Sequence, residues 1–486
     1  MCIRDSYKSL HFLYRLHDRI NLVMVNKKIK WVITLLIILG NFMGMLDSST
    51  VQLALYPIAK GLNITLPEVQ WVIIAYMLVL TVFLPFFGKL GDIFPKNKVY
   101  ASGFFIFALG AALNCTAPNF AMLLTFRCIE ALGASIMIAN GPAVIATLFK
   151  GENRGKALGL NASLVAVGGM SGPAIGGALI NYFGWRTIFL PSVPIALLGA
   201  YFSYKLLPAY MKKKKFKFDY KGFLYFTIAL FALLLAISEG HTWGWKSLKI
   251  IFLGVLTLIF GGLFYFRDSK INDPLINFKM FKIKTFTFGN IAVMTSYMTM
   301  FTNGILLPFF LQEIVKYNAF ITGLLILPYS VASSIVAPFA GSYAGKHGSR
   351  LLTIVGPSVY IIALTIFTTF NINTQMWEII LASIIMGIGN GCFQSPSNNA
   401  IITSVKKEEL GIASGILSLS RNLGNILGVA VTITLFDSFR NILVNDGVNY
   451  TKAFLNSYHW TMCFGIVFGI ICLSCSFYAY KEKFKN

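Results

Sequence analysis

Long apolar runs, each closed by a short cluster rich in Lys, Arg, Gly, Pro or Asn, repeat along the whole chain. Broken at those clusters, the pattern gives fourteen runs, near residues 31–59, 68–88, 99–117, 119–149, 157–181, 187–208, 222–239, 247–266, 286–311, 320–344, 351–370, 377–403, 411–436 and 458–480. An α-helix needs ~20 residues to cross ~30 Å of hydrocarbon, whereas barrel strands would appear as alternating segments of ~10 residues. The pattern predicts an all-α membrane protein with fourteen transmembrane helices. Runs longer than ~25 residues imply tilted helices or ends that protrude from the hydrocarbon.

Composition removes the soluble alternatives. The 486 residues are 56% hydrophobic and 12% charged, with 43 Phe and a mean hydropathy of +0.70. A net charge of +23 would suit a nucleic-acid binder, but the basic residues lie between apolar runs, so no nucleic-acid partner is expected. With the N-terminus placed inside, Lys60, Arg186, Lys246, Lys249, Lys316, Arg440 and Lys452 fall in outer loops, and Arg127, Lys205 and Arg421 lie in spans; the rest of the 41 Lys and Arg are inside. Both termini are therefore expected in the cytoplasm, which requires an even number of spans. Cys472 and Cys475 form a C-x-x-C spacing in the last run, without a second pair or a nearby His. They read as packing or lipid-facing residues, and neither a disulfide nor a metal site is expected. Residues 1–23 lack a signal-peptide pattern, while Met24 stands directly before a basic stretch and the first span. Translation is expected to start at Met24, the alternative being a native cytoplasmic amphipathic tail.

The fourth and fifth runs resemble the twelfth and thirteenth. Pro142 pairs with Pro396, and Gly155, Gly159, Gly168 and Gly172 pair with Gly411, Gly415, Gly424 and Gly428. GKLGDIFPKNK after the second run is echoed by GSYAGKHGSR after the tenth. The expected organisation is a cytoplasmic tail at 1–30, a six-helix half at 31–208, two linker helices with cytoplasmic loops at 209–285, a second six-helix half at 286–480 and a tail at 481–486. Such repeats are common in secondary transporters, which bind near the midplane and work by rocking one repeat on the other.

A few positions break the apolar pattern. Asp47 lies within the first run, and Arg127 and Glu130 within the fourth. A charge at the bilayer centre costs at least ~2.5–3.5 kcal/mol on insertion scales, so such residues read by default as pathway or coupling groups. Arg127 cannot shed its proton, and Glu130 at i+3 can pair with it, so a purely structural intrahelical pair is the alternative. Asp47 is a candidate for binding and releasing a proton under a gradient, or else is bonded to Ser48, Ser49 or Thr50. In the fifth run Gly168, Gly172 and Gly176 recur every fourth residue beside Pro173 and Gly177, which favours close helix packing and a kink or hinge at the proline.

These motifs together resemble the major facilitator superfamily, specifically its fourteen-span drug:proton antiporters, over nearly the whole chain after Met24. Gly88-Lys-Leu-Gly-Asp92-Ile-Phe-Pro95-Lys96-Asn-Lys98 resembles the loop signature of that superfamily, with Ile93 and Pro95 replacing a basic residue and a glycine. The resemblance implies a conformational latch on Gly88, Asp92, Lys96 and Lys98; a basic loop that only sets topology is the alternative. Arg127-x-x-Glu130-x-x-Gly133 resembles the motif linked to proton coupling, with Glu130 where Gln is usual. Gly168-Gly-Met-Ser-Gly172-Pro173-Ala-Ile-Gly176-Gly177 is similar to the exporter motif. The span 1 segment around Asp47 matches the fourteen-span pattern apart from Tyr56, inserted before Pro57. Arg421-Asn-Leu-Gly424-x-x-x-Gly428 resembles the corresponding second-half segment.

The function implied is efflux of small lipophilic, drug-like compounds in exchange for protons across a bacterial cytoplasmic membrane, by a monomer without a cofactor. Proton coupling would rest on Asp47, Arg127 and Glu130, and a cavity would be lined by Trp71, Tyr76, Met298 and Phe309. An exporter of one metabolite or antibiotic, such as tetracycline, is the alternative. An ATP-driven pump is disfavoured, since each Gly-Lys pair is followed by Leu, Ala or His and no phosphate-binding loop forms. A membrane-embedded enzyme is disfavoured because His11, His17, His241, His347 and His459 are scattered over tail, loops and span ends.

Overall fold

Each apolar run becomes one helix, because in hydrocarbon every backbone N–H and C=O must be satisfied within the segment. The computed structural model describes residues 27–149, 151–207, 219–271, 276, 278–406 and 410–479. The expected start at Met24, the stretch 1–23, the tail at 481–486 and the basic part of the loop at 209–218 lie outside those residues. The long helices are α1 (Lys27–Leu62), α2 (Trp71–Ile93), α3 (Lys96–Cys115), α4 (Phe120–Leu148), α5 (Gly151–Phe183), α6 (Ser192–Leu206) and α7 (Tyr220–Trp243). They continue with α8 (Leu248–Asp268), α9 (Lys284–Phe309), α10 (Ala319–His347), α11 (Arg350–Phe367), α12 (Met376–Thr403), α13 (Leu410–Asn445) and α14 (Tyr450–Ala479).

Local chemistry sets the ends. The Asn119 and Asn318 side chains accept from the Met122 and Ile321 amides at 3.0 and 2.8 Å, capping α4 and α10. Gly184 and Gly348, at φ +87° and +85°, end α5 and α10 in a conformation that other residues rarely adopt. The first helix and the thirteenth run past the apolar stretches that announced them, to Leu62 and Asn445.

Twelve described helices are long and apolar enough to cross a membrane, and α9 stands outside that set. For α9 the reason is its polarity: it carries Asn290, Thr295, Ser296, Thr299, Thr302 and Asn303, all buried. Its threonines return their hydroxyls to their own helix, Thr299 to the Thr295 carbonyl and Thr302 to the Met298 carbonyl, each at 3.0 Å. A helix enclosed by protein need not look apolar.

The described chain falls into two compact units. One holds described residues of 1–47, 83–168 and 189–218; the other holds 48–82, 169–188 and those from 219 onward. In the first, α3 lies between α4 and α6, and glycines set the spacing. A Cβ at Gly110 would stand 2.5 Å from the Glu130 Cα, and one at Gly103 would stand 2.8 Å from Ile136 Cγ2. In the second unit α12 packs between α10 and α11, and α9 packs against α13 and α14. There the Cys472 thiol donates to the Ala292 carbonyl at 3.2 Å, tying α14 to α9.

Gly110→Val should force α3 from α4 and lower stability by about 1–3 kcal/mol, read as an earlier thermal transition of the purified protein in detergent. A transition unchanged from wild type would show that this contact does not hold α3 against α4.

Candidate functional site

The three charges that break the apolar pattern meet at one point. Arg127 Nη1 donates to Asp47 Oδ2 and to Glu130 Oε2, each at 2.8 Å. Both carboxylates and the guanidinium are almost fully enclosed, Arg127 at 1% and Glu130 at 0% exposure. The helical spacing puts Arg127 and Glu130 on one face of α4, and α1 supplies the second carboxylate. Asp47 is therefore tied to Arg127 across the fold, which the sequence alone left open.

Two further residues complete the arrangement. Asn114, on the last turn of α3, donates from Nδ2 to Glu130 Oε2 at 2.7 Å, and the Phe189 ring lies 5.6 Å from the guanidinium carbon. Glu130 Oε1 and Asn114 Oδ1 are buried without a partner among the described residues. Sequence reasoning missed Asn114 because an Asn near the end of an apolar run reads as a helix stop. Its only signal was an amide in an otherwise apolar stretch. Two carboxylates facing one guanidinium leave a surplus of one negative charge when both are ionised, so one bound proton makes the group neutral.

The glycine motif packs α5 on its neighbours. A Cβ at Gly168 would stand 2.7 Å from the Phe42 carbonyl oxygen, one at Gly172 would overlap the Ser49 side chain, and one at Gly176 would overlap the Thr50 methyl. Thr50 Oγ1 donates to the Gly172 carbonyl at 3.3 Å. Gly168, Gly172 and Gly176 thus seat α1 along one stripe. Gly177 instead faces α10, where a Cβ would stand 2.6 Å from the Ala319 carbonyl oxygen, and Gly323 on α10 abuts the Pro173 carbonyl. The second repeat does the same with its own pair: Gly424 meets Met294 and Tyr297, and Gly428 meets Met298 and Phe301, all on α9. Arg421 lies one turn before Gly424, and its Nε is buried without a partner among the described residues.

The remaining predicted residues are dispersed. In the loop signature, α2 continues through Asp92, whose side chain lies outside the described ones, and α3 starts at Lys96. Lys96 is half-buried and Lys98 exposed. Gly88 makes an ordinary contact with Ala139, while Asn140 on α4 donates to the Phe87 carbonyl at 3.0 Å and pins the end of α2. Of the four cavity candidates, Met298 packs under Gly428, Phe309 meets Tyr56 edge to face, and Tyr76 is buried. Trp71 Nε1 donates to Glu239 Oε1 on α7 at 2.7 Å. A groove of about 540 Å³, lined by Val32, Leu35, Phe42, Leu164, Phe202 and Leu206 among others, is apolar and bordered by exposed side chains.

The model of the Major Facilitator Superfamily matches residues 37–266 and 289–485. The riboflavin transporter RibZ of Clostridioides difficile (strain 630) is 33% identical over 447 residues, covering 90% of this chain and 96% of that protein. The multidrug transporter protein MdtP of Bacillus subtilis (strain 168) is 29% identical over 411 residues, covering 84% and 76%. The lincomycin resistance protein LmrB of Listeria monocytogenes serovar 1/2a is 26% identical over 455 residues, covering 92% and 96%. Among solved structures, a bacterial homologue of the human lysosomal transporter Spinster, inward-facing and unoccupied, matches with a TM-score of 0.69 at 15% identity, covering 94% of this chain and 98% of that one.

Arg127→Leu strands two carboxyls in a dry interior and should cost about 3–5 kcal/mol. Glu130→Gln, which keeps an acceptor for Asn114 and Arg127, should cost clearly less. Thermal transitions of the purified variants in detergent measure both; an Arg127→Leu protein as stable as wild type would remove the guanidinium as the keystone of the cluster.

Proposed function

Since this chain belongs to the Major Facilitator Superfamily, and is a multi-pass membrane transporter rather than an enzyme, we propose that it exports lipophilic, drug-like compounds in exchange for protons. The observation that carries this reading is the enclosed Asp47–Arg127–Glu130 cluster. A proton entering the cluster brings its net charge to zero, and a proton leaving restores the attraction between Asp47 on α1 and Arg127 on α4. Protonation thereby changes the strength of a tie between two helices, which is what a coupled carrier requires. One proton moving down ~100 mV supplies ~2.3 kcal/mol, enough for roughly fiftyfold concentration of a neutral solute.

The relatives named for multidrug and lincomycin resistance support export of drug-like compounds. All fourteen long helices are taken as spans, with α9 largely enclosed by protein and both termini in the cytoplasm of a bacterial cell, as the Lys and Arg distribution favours. The protein is taken to act as a monomer without cofactor. Asp92, Lys96 and Lys98 form the latch and the α5 glycines the packing seam of the cycle, while Arg421, Gly424 and Gly428 serve the second half. Trp71, Tyr76, Met298 and Phe309 are the weaker candidates for contact with cargo.

A second reading is favoured by one specific observation, the 33% identity to a riboflavin transporter over 90% of the chain. In that reading the cargo is one planar vitamin-like molecule rather than a range of drugs.

Energised bacterial cells expressing the chain, loaded with ethidium or with riboflavin, separate these readings. Proton-coupled drug export requires ethidium efflux that a protonophore abolishes and that falls at least about tenfold in Asp47→Asn, a barrier change of ~1.4 kcal/mol. Ethidium efflux that survives the protonophore would sink proton antiport. Movement of riboflavin without ethidium would select the narrow reading.

A further inference from the structure

The second repeat holds a polar network that neither the charged cluster nor the helix packing uses. Asn390 on α12 is its centre: its Oδ1 accepts from the Tyr360 hydroxyl of α11 at 3.0 Å, and its Nδ2 donates to Ser333 Oγ of α10 at 2.8 Å. The Ser296 hydroxyl of α9 donates in turn to the Tyr360 oxygen at 3.2 Å. The glycines flanking Asn390 make this meeting possible. A Cβ at Gly389 would stand 3.1 Å from the Tyr360 ring, and one at Gly391 would stand 2.8 Å from the Ser333 carbonyl oxygen. Asn390 is thus fully engaged and rigid.

One turn further along α12, the arrangement loosens. Gln394 Oε1 accepts from the Tyr297 hydroxyl at 3.4 Å, a long bond that a better partner would displace. The Tyr329 hydroxyl on α10 is buried and has no partner among the described residues. A buried O–H without a partner is destabilising, so it is a natural place for a ligand acceptor or donor. Tyr297 and Gln394 are partly accessible, as is Tyr329 apart from its enclosed hydroxyl, while the exposed apolar residues Ile335 and Phe339 of α10 lie on a different face from Tyr329. The network holds phenols, hydroxyls and carboxamides and no charged side chain.

We propose that Tyr297, Tyr329 and Gln394 form a hydrogen-bonding subsite for an uncharged planar heterocycle that carries a cyclic amide or imide edge, with Asn390 as the positioning residue beneath it. Two phenols offer faces for stacking and hydroxyls that both donate and accept, and Gln394 adds a carboxamide that matches an imide in both senses. Such an edge satisfies the Tyr329 hydroxyl and replaces the long Tyr297–Gln394 bond. A site built on neutral donors and acceptors discriminates against analogues that lack the matching N–H, because its own groups are then left unpaired. The inference deepens the transport reading and takes the ligand as its cargo.

The test uses the full chain purified in detergent and titrated with riboflavin, whose ring system carries an imide, and with its N3-methylated derivative, followed by quenching of flavin fluorescence. Wild type should bind riboflavin about tenfold or more tighter than the methylated compound. Gln394→Leu and Tyr329→Phe should each bring that ratio toward one, and Asn390→Ala should do the same through its neighbours. The ratio between two flavins is insensitive to a general loosening of the protein. Should Gln394→Leu fail to fold, Tyr297→Phe, which removes one hydroxyl, should lower the ratio as well. A wild-type ratio near one, no riboflavin binding, or an unchanged ratio in well-folded variants would each overturn the subsite. Because the readout is binding, its failure alongside active ethidium efflux defeats the subsite alone, whereas intact binding without any efflux defeats the transport reading alone.

Discussion

A guanidinium that cannot lose its proton, enclosed at 1% exposure, must be answered by negative charge within hydrogen-bond reach. Much of the first repeat can be read as the means of supplying that answer. The turn spacing of α4 brings Glu130 beneath Arg127, and α1 delivers Asp47 to the same nitrogen. Gly110 lets α3 come close enough for Asn114 to hold the Glu130 carboxylate, and Phe189 closes the remaining side with its ring. Moving any of these helices exposes a charge to a medium that penalises it. That makes the cluster a fastener joining α1, α3 and α4.

The two repeats share their packing and differ in their chemistry. In both, a pair of glycines four residues apart on the fifth helix of the repeat seats the first helix: Gly168 and Gly172 against α1, Gly424 and Gly428 against α9. The first helix then carries different polar groups. On α1 it presents a carboxyl to a cation, whereas α9 is lined with hydroxyls and an amide and belongs to a neutral network with Tyr360 and Asn390. The charged group and the neutral network thus belong to different sets of helices, α1, α3 and α4 for the one and α9 to α12 for the other.

How far the sequence could be read depends on what each residue faces. Runs that border lipid announced themselves, and every one of the fourteen became a helix. Arg127, Glu130 and Asp47 were legible because a charge in an apolar run is conspicuous, although nothing local showed that Asp47 bonds to Arg127. Asn114 and the Tyr297–Gln394 pair were not legible, since a lone Asn, Tyr or Gln in a run looks like a tolerated interruption until other helices bring it partners. Acidic residues near helix ends, where solvation is easy to assume, are engaged as well: Glu313 with the Tyr450 hydroxyl, Asp437 with Arg440, and Glu239 with Trp71. Hydropathy ranks a residue by its own side chain, and these roles are defined by a second one.

The bond between the Trp71 indole and Glu239 ties α7 to α2. The helix pair α7–α8 interrupts the duplicated plan, and Arg267 on α8 grips Asp219 just before α7 with a 2.7 Å bond, so the pair is a self-fastened insert. The pair also holds a side chain outside itself, through a carboxylate that the indole faces. Excising it would leave the Trp71 N–H without that acceptor, so a chain shortened by these two helices calls for a compensating change at Trp71.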